Sequence, residues 1–410
     1  MRVLQLTQFF PPVVGGEERH VRNLSLALAE RGHDVHVATL DPGSGAAPED
    51  LADRDVTGHV LDHVGVRAPW FYPTADRPLA LPVPDPVATR DLGRLLREVR
   101  PDVVHAHTWL VNSLVPLPAA HRVPLVHSLH DYGHVCATKR LVRDGEPCAG
   151  PSLTACPPCA RDHYGAGRGE AIWGAVRAGL PVRRRAVDLF TPVSRYVAEA
   201  NRLPVDGSRY EVVPNFVPDD LVDHDAPRDP GLPDGDFLFF AGDLTRQKGL
   251  GTLLAAYDRL DPGTRPPLVC VGREGDAFDV PDGAVLHHSW PHERVVSAFR
   301  YATAAVLPSE WPDPCPTTVL EAMALGAPLV TTDRGGIADM VTDERSALVT
   351  PSGDVAALAT RLERLLADGD LRARLRAGAL EDVVPFTLGR VADRLGALYA
   401  ETVARVAADG

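Results

Sequence analysis

Short apolar runs that read as buried strands alternate with helix-periodic segments along almost the whole chain. That alternation admits few folds. Parallel strands need long crossover connections, and the crossover helices then cover both faces of the sheet. Val3 to Thr7 opens the series and runs into a Pro/Gly-rich loop, Phe10-Pro11-Pro12-Val13-Val14-Gly15-Gly16. Helical periodicity follows from about Glu18 to Glu30, with Val21, Leu24, Leu26 and Leu28 on its apolar side, and Gly32 stops it. Asp34 to Leu40, Val103 to Ala106 and Leu125 to Leu129 read as further strands. A second series starts near Asp188 and continues through Phe237 to Phe240, Leu268 to Val271, Ala304 to Leu307 and Leu329 to Thr332.

The pattern predicts an α/β chain of two doubly wound, Rossmann-like domains facing each other across a cleft, and 410 residues suffice for two cores. Residues 1–200 form the first domain and residues 205–385 the second, with the boundary between about Tyr196 and Val212. Residues 386–410 read as a final helix packing back on the first domain. Asp41 to Val87, rich in Pro, Gly and Asp, reads as a loop-rich excursion, and Val222 to Gly235 as a long surface loop.

Charge narrows the partners. The net charge of −13 disfavours nucleic acid, which needs clustered cations. The opening residues read as a strand rather than a leader, and no stretch has about 18 uninterrupted apolar residues, so a cytoplasmic protein is expected. A basic run, Arg177 and Arg183-Arg184-Arg185 beside Trp173, reads as a solvated helix face, with peripheral contact with an anionic membrane surface as the alternative. The chain has only two lysines, Lys139 and Lys248, among 42 basic residues. In so arginine-rich a chain each lysine invites a chemical reason, because an ammonium and a guanidinium are not interchangeable.

Three stretches carry chemistry. Gly15-Gly16 lies between the first strand and the first helix, where a ligand can approach the backbone and the helix start attracts anions; a plain tight turn is the alternative. No GxGxxG fingerprint occurs there, which argues against a nicotinamide dehydrogenase. Arg246 and Lys248 follow the strand Phe239 to Leu244, at the strand end where open α/β sheets bind ligands, and two cations there can neutralise a diphosphate. After the strand ending at Leu307, a loop carries Asp313 and a helix begins near Pro316. The amides of Cys315, Thr317 and Thr318 can hold phosphate oxygens, Asp313 can hold sugar hydroxyls, and Glu321, one turn in, can accept from both ribose hydroxyls.

The order of Gly15-Gly16, Arg31-Gly32-His33, Pro214-Asn215-Phe216, Lys248-Gly249, Pro308-Ser309, Asp313 with Glu321, and Gly335-Gly336 resembles the family 4 retaining glycosyltransferases of the GT-B fold. The resemblance implies a hexosyltransferase that uses a nucleoside diphosphate sugar, with a UDP- or GDP-sugar as donor and no catalytic metal or other cofactor. Lys248 would bind the diphosphate, Glu321 the ribose, and Asp313, standing where the family usually has glutamate, the transferred sugar. Gly16 would border the donor phosphates, and His130 stands at the family's active-site histidine. Gly15, His130 and Lys139 would lie on the side of the acceptor, which is a small molecule, a glycan or a lipid-linked sugar. One departure stands out: Asp243 occupies a position where many members carry a diphosphate-binding arginine, leaving Arg246 or Lys248 alone to supply the charge. A sugar epimerase or phosphorylase, or a non-catalytic nucleotide-sugar binder, would use the same fold.

Four of the six cysteines, Cys136, Cys148, Cys156 and Cys159, fall in an insertion at about 136–160. They read either as ligands of a closed structural zinc site or as thiols without metal.

Overall fold

The computed structural model of the chain describes residues 1–11, 16–41, 51, 54–67 and 80–409. It divides into two compact units: residues 1–143, 148–214 and 391–410, and residues 215–390 together with 144–147.

The first unit is built on six parallel strands: β1 (Arg2–Leu6), β2 (Asp34–Leu40), β3 (Val56–Leu61), β4 (Val103–Ala106), β5 (Leu125–Leu129) and β6 (Leu189–Pro192). Their spatial order is β3-β2-β1-β4-β5-β6. The second sheet repeats that order as β9-β8-β7-β10-β11-β12, from β7 (Leu238–Ala241), β8 (Leu268–Gly272), β9 (Ala284–His288), β10 (Ala304–Leu307), β11 (Leu329–Thr332) and β12 (Leu348–Thr350). In each sheet the order reverses next to its first strand, and that switch point is where a ligand crevice opens at the carboxyl ends.

Six helices matter to the sites: α1 (Gly16–Glu30), α2 (Cys156–Tyr164), α3 (Arg168–Ala186), α4 (Leu250–Arg259), α5 (Thr317–Ala324) and α6 (Leu388–Asp409). Along α1, Val21, Leu24 and Leu28 are buried as their spacing requires. Leu26 is half-buried, and Ser25 takes an inward place instead by donating its hydroxyl to Val21 O at 2.7 Å.

Three sequence expectations change. The excursion after Asp41 contains a true strand, β3, paired with β2 in the register Val35↔Val56; its polar, half-exposed residues hide the strand pattern at this edge. The unit boundary falls at Pro214/Asn215, beyond the expected window, because residues 209–213 extend the edge of β6. The Phe190 amide donates to Arg209 O, the Glu211 amide to Phe190 O and the Val213 amide to Pro192 O, at 2.9–3.0 Å. From Val391 onward, α6 belongs to the first unit. The basic run is not a uniformly solvated face either. Arg183 is 1% exposed and donates to Asn112 Oδ1, His134 O and Val176 O, while Arg184 pairs with Asp206 at 2.6 Å. Burial lowers the Arg183 pKa to about 10. Arg177 and Arg185 remain exposed.

Candidate active site

The second unit carries the sharper site. β7 ends at Ala241, and a 3-10 turn, Arg246–Lys248, leads into α4. Thr245 Oγ1 accepts the Lys248 amide at 3.3 Å, and Gly249 turns the chain with φ +77°. A Cβ on Gly249 would sit 1.9 Å from Pro308 O, so only glycine lets this turn lie against the end of β10. That approach brings Lys248 to the Asp313 loop. Its Nζ is ion-paired with Asp313 Oδ2 and lies 5.3 Å from the centre of the Trp311 ring.

Asp313 is 6% exposed, and its backbone is fixed from behind. Its carbonyl accepts the Gly336 amide at 2.7 Å. Gly335, at φ +61°, has no room for a side chain, because a Cβ would lie 2.3 Å from the same carbonyl oxygen. The amides of Glu310 and Trp311 both donate to Gln247 O at 2.9 Å, joining the loop after β10 to the Lys248 turn. Asn215 Nδ2 donates to Cys315 O at 2.8 Å, just ahead of α5. Lys248, Ser309, Asp313, Thr318, Val319 and Ile337 line one small, half-open cavity. The amides opening α5 have no acceptors in their own helix and give its start a positive end. An ammonium, a buried carboxylate and a helix start in one cavity suit a ligand with both phosphate and hydroxyl groups.

Glu321 stands one turn into α5, mostly buried, with Oε1 3.2 Å from His292 Nε2. Cys315 is buried and its thiol is pushed up to about 12, so the residue offers backbone groups rather than a thiolate. Arg246 is exposed, and the bond that ties it down runs from its amide to Asp276 Oδ2 at 2.7 Å. The guanidinium that reaches Asp243 belongs to Arg273, which the sequence reading missed; the register of β7 against β8 brings the two together.

The first unit holds a histidine cluster at the carboxyl ends of β4 and β5. His130 Nε2 lies 3.1 Å from His107 Nδ1, and His107 Nε2 lies 2.7 Å from Gln5 Oε1. An amide oxygen can only accept, so His107 donates from Nε2 and takes the His130 proton donor on Nδ1. The relay thus fixes the His130 ring. Burial holds His20, His105 and His107 well below the ordinary histidine range, and all three are neutral near pH 7. Burial also raises Glu17 to about 8, against the opposing pull of Lys139 and the Thr7 hydroxyl.

Lys139 takes a left-handed backbone, φ +62°, with Nζ 4.2 Å from the centre of the Trp109 ring and 3.8 Å from Asp131 Oδ2. Gly16 is exposed at the start of α1, and Gly15 lies outside the described residues.

The four clustered cysteines are free thiols. Cys156 and Cys159 lie one turn apart at the start of α2. The Gly150 amide donates to Cys148 Sγ at 3.4 Å and the Ser152 amide to Cys156 Sγ at 3.2 Å. The fields of Cys136 and Cys148 reach both Cys156 and Cys159. Among the described residues, however, the group of three ligand atoms within 4.8 Å of one another is His20, His107 and His130, not the thiols. Hydrogen bonding accounts for both nitrogens of His107 without an ion.

Comparison with known proteins matches residues 14–221 to the family described as Glycosyltransferase Family 4, and residues 224–382 to Glycosyl transferases group 1. The glycogen synthase of Mycobacterium tuberculosis is 29% identical over 92% of this chain and 89% of its own length. Among solved structures, sucrose-phosphate synthase from Thermosynechococcus elongatus superposes with a TM-score of 0.73 at 20% identity, covering 98% of this chain and 99% of its own. Anabaena HepE in complex with UDP-glucose gives 0.67 at 15% identity, covering 98% and 100%. Among the described residues no helix is long and apolar enough to cross a membrane.

Proposed function

The chain belongs to Glycosyltransferase Family 4, with a group 1 glycosyl transferase domain in its second half, and from that premise we propose that it transfers a hexose from a uridine diphosphate sugar to a hydroxyl of a sugar-type acceptor, with retention of configuration. The observation that carries the reading is the Lys248–Asp313 pair in a cavity lined also by the start of α5. The UDP-glucose complex of HepE supports the donor class.

Donor binding separates the pair. The Lys248 ammonium and the α5 amides take the diphosphate, Glu321 takes the ribose hydroxyls, and Asp313 accepts from hydroxyls of the hexose. As the glycosidic bond breaks, negative charge grows on the departing phosphate, and Lys248 stabilises it more than it stabilises the intact donor. The acceptor hydroxyl attacks from the face the phosphate leaves, and the leaving phosphate takes its proton. In the first unit, His107 holds the ring of His130, which stands at the position the resemblance gives to the family's active-site histidine. No catalytic metal is needed for this charge balance.

A structural zinc ion on Cys136, Cys148, Cys156 and Cys159 is a further part of the proposal. The amide-to-sulfur bonds support it, and binding would require the thiol side chains to turn inward onto one centre.

A thermal-shift screen of UDP- and GDP-sugars tests the donor, because a ligand that binds the folded state raises its melting point. UDP-hexoses should stabilise the protein, and release of UDP should require an acceptor sugar. UDP release that never depends on acceptor, or no shift with any nucleotide sugar, overturns the reading.

A further inference from the structure

The strand ends carrying Asp243 and Arg273 are stitched together. The Gly242 amide donates to Val271 O at 2.9 Å, the Leu244 amide to Arg273 O at 3.0 Å and the Asp276 amide to Leu244 O at 2.9 Å. A Cβ on Gly272 would lie 1.6 Å from Gly242 O, so the two backbones touch where β7 and β8 end. The backbone of Arg273 is therefore fixed against the loop that leads to Lys248. A Cβ on Gly242 would lie 4.0 Å from Lys248 Cγ, which puts this strand end beside the lysine stem.

From that anchor the Arg273 guanidinium meets Asp243 side-on, with Nε 2.8 Å from Oδ1 and Nη2 2.8 Å from Oδ2. Two parallel charge-assisted bonds fix the guanidinium plane as well as its position. Nη1 takes no part in that pair, and the side chain is 72% exposed, so a face of the fork stays open to a ligand. Arg246, by contrast, is engaged through its backbone.

Lys248 is a single ammonium, paired with Asp313 until a donor separates them. A diphosphate gains charge as its sugar departs, and a second cation on the same edge would share it. A planar fork suits phosphate oxygens better than a second ammonium would.

We propose that Arg273, oriented by Asp243, is the second cation for the donor diphosphate, reaching it from β8 while Lys248 reaches it from the loop after β7. In this arrangement Asp243 is a positioning residue and does not itself touch the donor. The proposal rests on the donor assignment given above.

The test compares wild type, R273A, D243N and K248A for kcat/KM of the donor and for binding of UDP and of uridine by calorimetry, with melting curves for each. R273A should weaken UDP binding and lower kcat/KM by about tenfold or more, while uridine, which lacks phosphate, binds as before. D243N should produce a smaller loss in the same direction. R273A with UDP affinity within about twofold of wild type overturns the proposal, as does equal loss of UDP and uridine binding with a lowered melting point. If K248A also leaves kcat/KM unchanged, or wild type binds neither UDP nor GDP, the donor assignment itself fails.

Discussion

Tyr399 Oη lies 2.6 Å from His105 Nδ1, joining residues 294 positions apart inside one unit. The phenol also receives Gln5 Nε2 at 3.4 Å, and His105 Nε2 lies 2.7 Å from Ser128 Oγ, which contacts Thr191 Oγ1 at 2.8 Å. The buried chain thus ties α6 to β1, β4, β5 and β6. Removing only the phenol oxygen with Tyr399→Phe strands the buried His105 nitrogen. The unfolding free energy of the first unit should fall by about 1–3 kcal/mol, measured by urea denaturation. An unchanged midpoint would show the bond to be dispensable.

Lys248 and Glu321 should separate kinetically. Lys248→Ala removes a charge whose main gain comes in the transition state, so kcat should fall by about a hundredfold or more. Glu321→Ala removes a ribose contact made in both states, so KM and the UDP dissociation constant should rise while kcat changes less. Steady-state kinetics with UDP-glucose decide it; matching effects of the two substitutions on kcat would contradict the assignment.

Stability should depend on pH in two opposed windows. His20, His105, His107, His127 and His134 all have pKa values lowered by burial, His127 to about 3. Below their ordinary 6.5 the unfolded chain takes up protons that the folded unit refuses, so stability falls as pH drops. Glu17 works the other way. Raised from 4.5 to about 8, it keeps a proton when folded, and its stabilising contribution is lost as pH rises through that range. Five imidazoles outweigh one carboxyl below 6.5, and Glu17 alone acts between there and 8. Melting temperatures should peak near neutrality, and Glu17→Gln should flatten the alkaline limb. A melting temperature that climbs steadily to pH 8 would contradict this.

The cysteine insertion gives a compositional prediction. Elemental analysis of purified protein should find about one zinc per chain, and a Cys156→Ser, Cys159→Ser double variant should lose it and melt lower. A wild-type zinc content near zero ends the metal reading.

The Lys248–Asp313 pocket was legible in sequence because its residues lie close along the chain. Lys248 sits between a strand and Gly249, and eight positions separate Asp313 from Glu321 across a proline-rich helix start. What escaped depends on contacts between distant segments. Arg273 meets Asp243 only through the register of two strands, thirty residues apart. β3 is an edge strand whose outward residues break the apolar pattern. Arg183 reads as one of three surface arginines until the fold supplies carbonyls for it. The His107 relay needs Gln5, about a hundred residues upstream, to set its tautomer.

The membership of α6 also dictates the order of events during synthesis. Residues 391–409 complete the unit that begins at Met1, whereas the intervening unit is whole by Arg390. The half made first is therefore the half finished last. On the ribosome its sheet must wait, with the seat of Tyr399 unfilled, until nearly four hundred residues have been translated, while the other unit can close beforehand.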